Sequence, residues 1–513
     1  MGSSVVLPGP SSLLKMVSVA AHLLLFLLSG NLIPVAPTLE ELPFQVGGGG
    51  GVAAAAAPGK SRKRVFPAPR TQEPDPLSEA YSYCNTPNRT QQAWEGHSPA
   101  DYKLLSVQVM IRHGDRAPLY YIPKTKRPAI DCTLSASRKP SHLLLDSFIR
   151  HMAQGGRGHW ESPLGSVHRL PNHSVCEMGE LTQTGVVQHL RNGQLLQQAY
   201  GRHRLLPPDW SPRQLWLETT GRSRTLQSGL AFLYGFLPDF DWGKVTARHQ
   251  RSTLFCDAAC DCPARNRHLE EEQRRQYRLR VGDAELERTY ADMAETLGLP
   301  TRQLRAANPI DSLLCQLCHN IPFPCATAGA GGCLTMAQLA VIRRQQLDDG
   351  VDRRKAGLYH KYAVLAMYPY LNRTAARMER VVRDSGAGRQ PRRAGGEEVF
   401  ALSSAHDVTV APLLSALGLE EPHLPRFAAR VVFELWKSPK RRGGGGGKDG
   451  EPFIRLLYNG EDVTFHTSFC RSHERHARQP LCPLKNFLSF VRRDMFGAVN
   501  ATSYQEACYG RRG

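Results

Sequence analysis

The chain has 513 residues, of which 41% are hydrophobic, 8% aromatic and 22% charged, and its formal net charge is +19. This composition excludes a disordered or fibrous chain, and the length suits several domains or one large domain with insertions. The positive charge indicates an anionic partner, which could be nucleic acid, a membrane surface, a phosphorylated substrate or a sulfated polysaccharide. Runs such as GGGGG, AAAAA and RRAGG offer a second explanation, because drift toward Gly, Ala and Arg adds surface charge without a partner.

Residues 16–36 are the first predicted element, since they are apolar over about the length that a bilayer core requires. A cleaved signal peptide is the alternative, but its cleavage sites are poor because Pro37 would follow the cut. We therefore expect a single-pass transmembrane signal anchor. Lys15 precedes this segment and Glu40 and Glu41 follow it, so the positive-inside rule places residues 1–15 in the cytosol as a short tail. The rest of the chain is then lumenal or extracellular.

Two further features indicate the secretory pathway. The chain has thirteen cysteines, and it has Asn-x-Ser/Thr glycosylation sequons at Asn88, Asn172, Asn372 and Asn500. The Cys-x-x-Cys spacing at Cys315 and Cys318 could bind zinc in a cytosolic protein, but an oxidising lumen favours disulfides. Because thirteen is odd, at least one thiol is free or bonded to another chain, and the pairing cannot be deduced from the sequence.

Residues 37–79 are rich in Gly, Ala and Pro and include the basic cluster KSRKR at 60–64. Such a segment cannot bury enough apolar surface to fold, so we expect a flexible basic stem. The basic cluster could be a processing site, although solvated linker charge is the commoner explanation. The folded lumenal domain is expected over residues 80–513.

Three strand-loop-helix units follow in chain order. LLSVQVMI at 104–111 is a β-rich apolar run typical of a strand buried on both faces, and a helical apolar period begins after Gly185. LWLETTGRSRTLQSGLAFLYGFL predicts strand, loop and helix, and a further unit has a strand at 399–403 and a helix beginning near Thr409. These units predict an α/β sheet flanked by helices, in which ligands gather at the carboxyl ends of the strands.

Residues 243–358 differ in character, because they combine polar helices with seven cysteines between Cys256 and Cys333. We expect a helical cap insertion held by disulfides. Nearer the end, ARVVFELW and PFIRLLYNG predict two paired strands joined by a glycine-rich loop at 443–447.

The loop after the first strand reads RHGDRAP. Arg112 and Arg116 can grip phosphoryl oxygens, His113 between them can attack phosphorus, and Gly114 allows a close backbone approach. The alternative is that these are ordinary surface residues of a short motif.

The second and third loops add charged groups of the same kind. Arg224, preferred here to Arg222, stands at a predicted helix start, where free backbone NH groups favour an anion, although it could be only a basic helix cap. In SSAHDVT, His406 can donate to a phosphate oxygen and Asp407 can protonate a departing alkoxide, while a helix-capping role for Asp407 stays open.

Together, Arg-His-Gly-x-Arg-x-Pro after a strand, Leu-Thr-x-x-Gly before a helix, Arg-Thr-Leu in a third loop and a late His-Asp resemble the histidine acid phosphatases. The resemblance covers about residues 80–510. It implies the phosphoglycerate-mutase-like sheet of that family and a phosphoric monoester hydrolase. It also implies that His113 is the nucleophile that becomes a phosphohistidine and that Asp407 is the proton donor. The phosphate would be bound by Arg112, Arg116, Arg224 and His406, without a metal or other cofactor.

Other stretches, among them IPKTKRP, LYGFLPDFDW, RAANPIDS and NGEDVTFHTSFC, resemble Golgi members of the family. The implied substrate is xylose 2-phosphate in the linkage region that joins glycosaminoglycans to proteoglycans, and the implied consequence is chain elongation. The expected location is the Golgi membrane in type II orientation, with glycosaminoglycan-synthesising enzymes as further partners and no nucleic acid.

Three alternatives remain on sequence grounds. The same six residues would serve a general acid phosphatase or an inositol polyphosphate phosphatase, because the motifs fix the reaction and not the substrate. A phosphoglycerate mutase shares the Arg-His-Gly loop, but the anchor and the His-Asp pair argue against it. A non-catalytic protein could use its basic surface to hold glycosaminoglycans.

Overall fold

The computed structural model describes residues 75–86, 93–97, 99, 101–154, 160–161, 168–249, 261–327, 332–386, 398–419, 424–439, 450–477 and 479–510. The predicted anchor at 16–36, nearly all of the predicted stem, Asn88 and the glycine-rich loop at 443–447 lie outside these residues. Within the described residues, no helix is both long enough and apolar enough to cross a bilayer.

The described strands form one mixed sheet in the order β2-β4-β3-β5-β1-β6-β7-β8, with β9 beside β7. Strands β1 to β5 pair in parallel, and the remaining strands pair antiparallel. Their bounds are β1 Lys103–Arg112, β2 Trp160–Glu161, β3 Leu215–Thr219, β4 Ala247–His249, β5 Phe400–Ala405, β6 Arg430–Lys437, β7 Pro452–Tyr458, β8 Glu461–Asp462 and β9 Cys482–Pro483.

Helices cover both faces of this sheet. Their bounds are α1 Pro76–Cys84, α2 Leu145–Gln154, α3 Gln183–Gly201, α4 Ser223–Phe236, α5 Pro263–Arg280, α6 Ala284–Thr296, α7 Thr301–Ala306, α8 Pro309–Cys318, α9 Met336–Ala356, α10 Leu358–Gly386, α11 Asp407–Ala416, α12 Leu484–Arg492 and α13 Tyr504–Tyr509. One core contains side chains of α2, α3 and α4, and the other contains side chains of α10, α11 and α12. The predicted α/β sheet flanked by helices is confirmed.

Strand β1 lies at the centre of this arrangement. Every residue after Lys103 is buried, and alternate side chains enter opposite cores: Val109 and Ile111 face one, and Met110 faces the other. A strand covered on both faces is rich in apolar residues at successive positions, and the mostly apolar run at 104–111 identified it, although Ser106 and Gln108 within it are polar. The predicted final pair of strands is also present, as β6 and β7.

Three boundaries differ from the predictions. Helix α3 begins at Gln183, before the predicted start after Gly185, because the Thr182 hydroxyl accepts a hydrogen bond from the Gly185 amide and caps the first turn. Helix α11 begins at Asp407 and not near Thr409. Helix α1 begins at Pro76, inside the range assigned to the stem, because Asp75 caps it and Ala80 and Tyr83 pack into a core.

The predicted insertion at 243–358 also requires correction. Strand β4 lies within that range but belongs to the main sheet, so the helical region starts after His249. Two of the disulfides among the described residues reach outward from this region: Cys318 bonds Cys84 in α1, and Cys262 bonds Cys508 in α13. A third, Cys325–Cys333, is local. The helical region is therefore fastened to the sheet domain.

Two further disulfides, Cys132–Cys176 and Cys470–Cys482, lie outside this region. Among the described cysteines, Cys315 is free and buried. Cys256 and Cys260 lie outside the described residues.

Candidate active site

The three charged loops meet at the carboxyl ends of β3, β5 and β1, which are neighbours in the sheet. Backbone hydrogen bonds join the loops directly. The His113 amide donates to the Ala405 carbonyl over 2.9 Å, and the Thr220 amide donates to the Ser404 carbonyl over 3.2 Å. Parallel neighbours end at one edge of a sheet, so this arrangement follows from the topology.

His113 is 2% exposed. Its Nδ1 lies 2.8 Å from the Gly114 carbonyl oxygen, to which it must donate, so the neutral ring keeps the lone pair on Nε2. Burial, then the charges of Arg224 and Arg112, lower the pKa of His113 well below its usual value. A neutral imidazole with a free Nε2 is the nucleophilic form of the side chain.

Gly114 brings this loop against helix α3. A Cβ at position 114 would lie 2.5 Å from both the Cα and the carbonyl oxygen of Gly185, a distance that side chains do not tolerate. The Gly114 amide also donates to the Ser228 hydroxyl of α4 over 3.0 Å. Two helices therefore fix the backbone that carries His113.

Arg112 is fully buried and is held from three sides. Its Nη1 donates to the Pro425 carbonyl over 2.5 Å, and its Nη2 donates to the Tyr83 hydroxyl over 2.6 Å. The same Nη2 lies 2.9 Å from Oδ2 of Asp407. The guanidinium carbon also lies 4.4 Å from the centre of the Phe427 ring.

Arg116 is held by a carboxylate from the helical region. Its Nη2 and Nη1 lie 2.7 Å and 3.3 Å from the two oxygens of Asp311 in α8, a bidentate pair. Asp311 also accepts a hydrogen bond from the Leu119 amide over 2.6 Å. Burial would lower the pKa of Arg116, but Asp311 raises it, so this guanidinium stays charged.

Arg224, in the first turn of α4, forms no ion pair with a carboxylate in the described part of the chain. Burial, then the neighbouring charges of Arg116 and Arg222, lower the pKa of Arg224 to about 9. Arg222, the alternative considered from the sequence, is exposed. Of these two arginines, Arg224, which the sequence favoured, is therefore the one that lies inside the site.

The Nε atoms of Arg112, Arg116 and Arg224 are all buried, and none has a hydrogen-bond partner among the described residues. Buried donors are nearly always satisfied in folded proteins. Three guanidinium groups that keep spare buried donors beside a neutral histidine provide the charge and the hydrogen bonds that a phosphate dianion requires.

His406 precedes α11 as its N-cap residue, and its Nε2 lies 2.8 Å from the Thr220 hydroxyl. The Thr225 hydroxyl donates its proton to the Arg222 carbonyl over 2.7 Å, so in its contact with Thr220 it can only accept. The Thr220 hydroxyl therefore donates its own proton to Thr225. It has no proton left for His406 and must accept from the His406 ring. The proton of the neutral ring is therefore on Nε2. Burial, then the charge of Arg224, lower the pKa of His406 to about 3.

This shift predicts a pH dependence of stability. The pKa of His406 is about 6.5 when the chain is unfolded and about 3 when it is folded. The native state therefore binds fewer protons in this window, and its stability is lost as the pH falls through it. His406→Asn should lose less stability than the wild type between pH 7 and pH 4, measured as melting temperature at both pH values. Parallel losses would contradict the prediction.

Asp407 is the first residue of α11, and its carboxylate is 26% exposed. Its Oδ1 accepts a hydrogen bond from the Val408 amide over 2.8 Å, and its Oδ2 pairs with Arg112. Burial would raise the pKa of Asp407, but the charges of Arg112 and then of Arg116 lower it. In the ligand-free enzyme, Asp407 is therefore ionised and is the anion that pairs with Arg112.

Arg224 allows a test that separates stability from binding. Because its buried charge faces Arg116 and has no carboxylate pair among the described residues, Arg224→Gln should raise the melting temperature of the ligand-free enzyme by a few degrees. The same change should weaken inhibition by inorganic phosphate by about tenfold to a hundredfold. Arg222→Gln is the matched control and should change neither quantity much. A variant that loses both stability and phosphate binding would indicate a structural role.

Sequence reasoning missed Tyr83, Thr220 and Asp311, which hold Arg112, His406 and Arg116 respectively. Asp311 lies in RAANPIDS, a stretch noted only for its resemblance to family members. Thr220 lies in the loop between β3 and Arg224 but was not singled out, and no local pattern connects Tyr83 or Asp311 to the phosphate-binding loops.

A metal site would need several His, Cys, Asp or Glu ligand atoms close together. Among the described residues, one group has ligand atoms close enough to hold a metal ion, formed by Cys132, Cys176 and Glu180, but the two cysteines are bonded to each other and cannot act as thiolates.

The asparagines of three predicted glycosylation sequons, Asn172, Asn372 and Asn500, are all exposed.

The fold and the site define an α/β enzyme that acts on phosphate monoesters through a histidine. The family model for the histidine phosphatase superfamily (branch 2) matches residues 103–459, and the chain belongs to this family. It is a phosphoric monoester hydrolase, as the sequence predicted.

Among curated proteins, the chain is similar to 2-phosphoxylose phosphatase 1 of Danio rerio, with 65% identity across 88% of this chain and 91% of the relative. It is 56% identical to 2-phosphoxylose phosphatase 1 of Homo sapiens, over 88% of this chain and 91% of that protein. Among solved structures, the apo form of a Bifidobacterium longum multiple inositol polyphosphate phosphatase aligns with 81% of this chain and 98% of its own, at 16% identity and a TM-score of 0.45.

Proposed function

We propose that His113 attacks the phosphorus of a bound monoester through Nε2 and forms a phosphohistidine, which water then hydrolyses. Arg112, Arg116 and Arg224 bind the phosphate through their spare donors. The dianion favours protonation of His406, whose Nδ1 can then donate while Nε2 stays bonded to Thr220. The three unpartnered Nε groups around a neutral His113 are the observation that carries this mechanism.

Asp407 supplies the proton that the leaving oxygen requires. In the free enzyme its carboxylate is tied to Arg112. A phosphate dianion on Arg112 competes with that pair and brings a second negative charge close, so the pKa of Asp407 rises when substrate binds. The protonated carboxyl can then donate to the departing alkoxide.

The substrate proposal rests on the named relatives. We propose that the monoester is the 2-phosphate of xylose in the linkage region between glycosaminoglycan and core protein, and that its removal promotes chain elongation. Proteins named 2-phosphoxylose phosphatase 1 share more than half of the aligned residues with this chain. The net charge of +19 also suits an acidic, proteoglycan-borne substrate.

We further propose a location in the Golgi membrane with the catalytic domain lumenal. The apolar segment at 16–36 would serve as a type II signal anchor and residues 37 to about 75 as the stem. The disulfides of the domain require an oxidising compartment. The exposed sequons at Asn172, Asn372 and Asn500 would be glycosylated there, and Asn88 is proposed with them. Enzymes of glycosaminoglycan synthesis are the expected neighbours.

Phosphate release by the purified full-length protein tests the substrate. A synthetic linkage tetrasaccharide with xylose 2-phosphate, an aryl phosphate and an inositol polyphosphate would be compared at equal concentration. A strong preference for the tetrasaccharide is expected. Comparable rates on all three would indicate a general phosphatase, and a preference for the inositol ester would indicate that alternative. Heparin binding without phosphate release from any substrate would support a non-catalytic glycosaminoglycan-binding protein.

A further inference from the structure

Tyr83 comes to the active site from outside the region that the family model matches. Helix α1 ends at Cys84, whereas the match begins at residue 103. Tyr83 is 6% exposed and packs in the core that α1 shares with the helical region. The neighbouring Cys84 is bonded to Cys318 at the end of α8. An element preceding the family domain is thus anchored beside the phosphate-binding loop.

The Tyr83 hydroxyl shares one nitrogen of Arg112 with the proposed proton donor. Nη2 of Arg112 lies 2.6 Å from the Tyr83 oxygen and 2.9 Å from Oδ2 of Asp407. A terminal guanidinium nitrogen has two protons, so both acceptors are satisfied together. When substrate displaces Asp407, Tyr83 and the Pro425 carbonyl on Nη1 remain to hold the guanidinium.

A tyrosine suits this position because it is a neutral acceptor. Burial raises the pKa of Tyr83, and although Arg112 opposes this effect, the side chain remains a phenol. It therefore orients Arg112 without cancelling its positive charge. Arg116 differs, because the carboxylate of Asp311 holds it and partly neutralises it. Arg112 is the arginine that must exchange Asp407 for phosphate, so a neutral support preserves the charge needed for the exchange.

The disulfide joins the supports of both arginines. Tyr83 precedes Cys84 on α1, and Asp311 lies on α8, the helix that ends at Cys318. One covalent link therefore fixes the helix that holds Arg112 to the helix that holds Arg116.

We propose that Tyr83 is a positioning residue of the phosphatase reaction, which keeps Arg112 in place as Asp407 is released to become the proton donor. This inference rests on the proposed roles of Arg112 and Asp407. Without the phenol oxygen, Asp407 becomes the stronger partner of Nη2, and its release and protonation become more difficult. The defect should therefore appear in the step that needs a proton.

The test is Tyr83→Phe in the full-length protein, with Tyr290→Phe as the matched control. Tyr290 is a buried tyrosine of the same core, and its ring lies against the guanidinium of Arg305 in the helical region. For a xylose 2-phosphate substrate, Tyr83→Phe should lower kcat by about tenfold to a hundredfold, with a smaller loss on an aryl phosphate. The alkaline limb of kcat against pH should move to lower pH. Tyr290→Phe should match the wild type.

A double-mutant cycle with Asp407→Asn locates the effect. If Tyr83 acts through Asp407, Tyr83→Phe should no longer discriminate between sugar and aryl phosphates once Asp407 is replaced. Wild-type kinetics in Tyr83→Phe, or equal losses on both substrates with an unchanged pH profile, would overturn the inference. If Asp407→Asn itself showed no dependence on the leaving group, the proposed donor role would fail first, so the two failures are distinguishable.

Discussion

His113→Asn should lower kcat by about 10⁴-fold or more on every phosphate monoester, because it removes the ring nitrogen that accepts the phosphoryl group. Asparagine can still donate to the Gly114 carbonyl from the place of Nδ1, so the loop keeps its local hydrogen bond. The backbone bonds of residue 113 to Ala405 and Ala428 are unaffected. Folding should therefore survive, and initial rates on an aryl phosphate and on the sugar phosphate provide the measurement.

Two further readouts make this result specific to the nucleophile. Inorganic phosphate should still bind His113→Asn, because the three arginines remain. The wild-type reaction would be quenched in alkali, because phosphohistidine is stable there. The peptide that contains His113 should then carry a phosphoryl group in the wild type and none in the variant. His203→Asn is the matched control, since His203 is a half-buried histidine that lies 2.7 Å from the Gly96 carbonyl. Its ring contacts Trp436, which pairs with Leu104 at the opposite end of β1 from His113. Appreciable turnover by His113→Asn would refute the assignment.

The central part of this site was predictable because it depends on local sequence. Strand β1 is a mostly apolar, β-rich run, and the motif residues follow it directly, so Arg112 and His113 could be placed at the end of a buried strand. The same holds for Arg224 after β3 and for His406 and Asp407 after β5. Convergence of the loops then followed from parallel pairing, which joins the ends of neighbouring strands at one edge.

The residues that hold Arg112 and Arg116 were not predictable because they come from other parts of the chain. Asp311 is 195 residues from Arg116 in the sequence, and the Cys84–Cys318 disulfide spans 234 residues. No periodicity or motif spacing records such contacts. Helix α1, which carries Tyr83, begins inside the predicted stem at 37–79, where composition suggested a linker and not a helix packed in a core.

The first residues of the helices were also predicted imprecisely, and here the reason is local. Apolar periodicity marks the face of a helix and not its cap, so α11 was expected near Thr409 although it starts at Asp407. This difference matters for chemistry. The carboxylate of Asp407 lies in the first turn, where free backbone NH groups and the helix dipole favour its ionised form. The sequence alone therefore could not distinguish a helix-capping role of Asp407 from a catalytic one.

Asp407→Asn separates those two roles. A sugar alkoxide is a poor leaving group and needs a proton as the bond to phosphorus breaks, whereas an aryl oxide leaves without one. The variant should therefore lose about 10²- to 10⁴-fold in kcat on xylose 2-phosphate, with a much smaller loss on an aryl phosphate. Asparagine is nearly isosteric and can still accept from Arg112, so the positions of the loops should be preserved.

The pH profiles carry the second half of this prediction. In the free enzyme the pKa of Asp407 is lowered, since the charges of Arg112 and Arg116 outweigh the effect of burial. Bound phosphate takes over Arg112, so the alkaline limb of kcat should lie at higher pH than the limb that Asp407 contributes to kcat/KM. Both limbs should disappear in Asp407→Asn with the sugar substrate. If instead the variant lost melting temperature and slowed both substrates equally, the carboxylate would serve only the first turn of α11, and the proton would have to come from solvent or from His406.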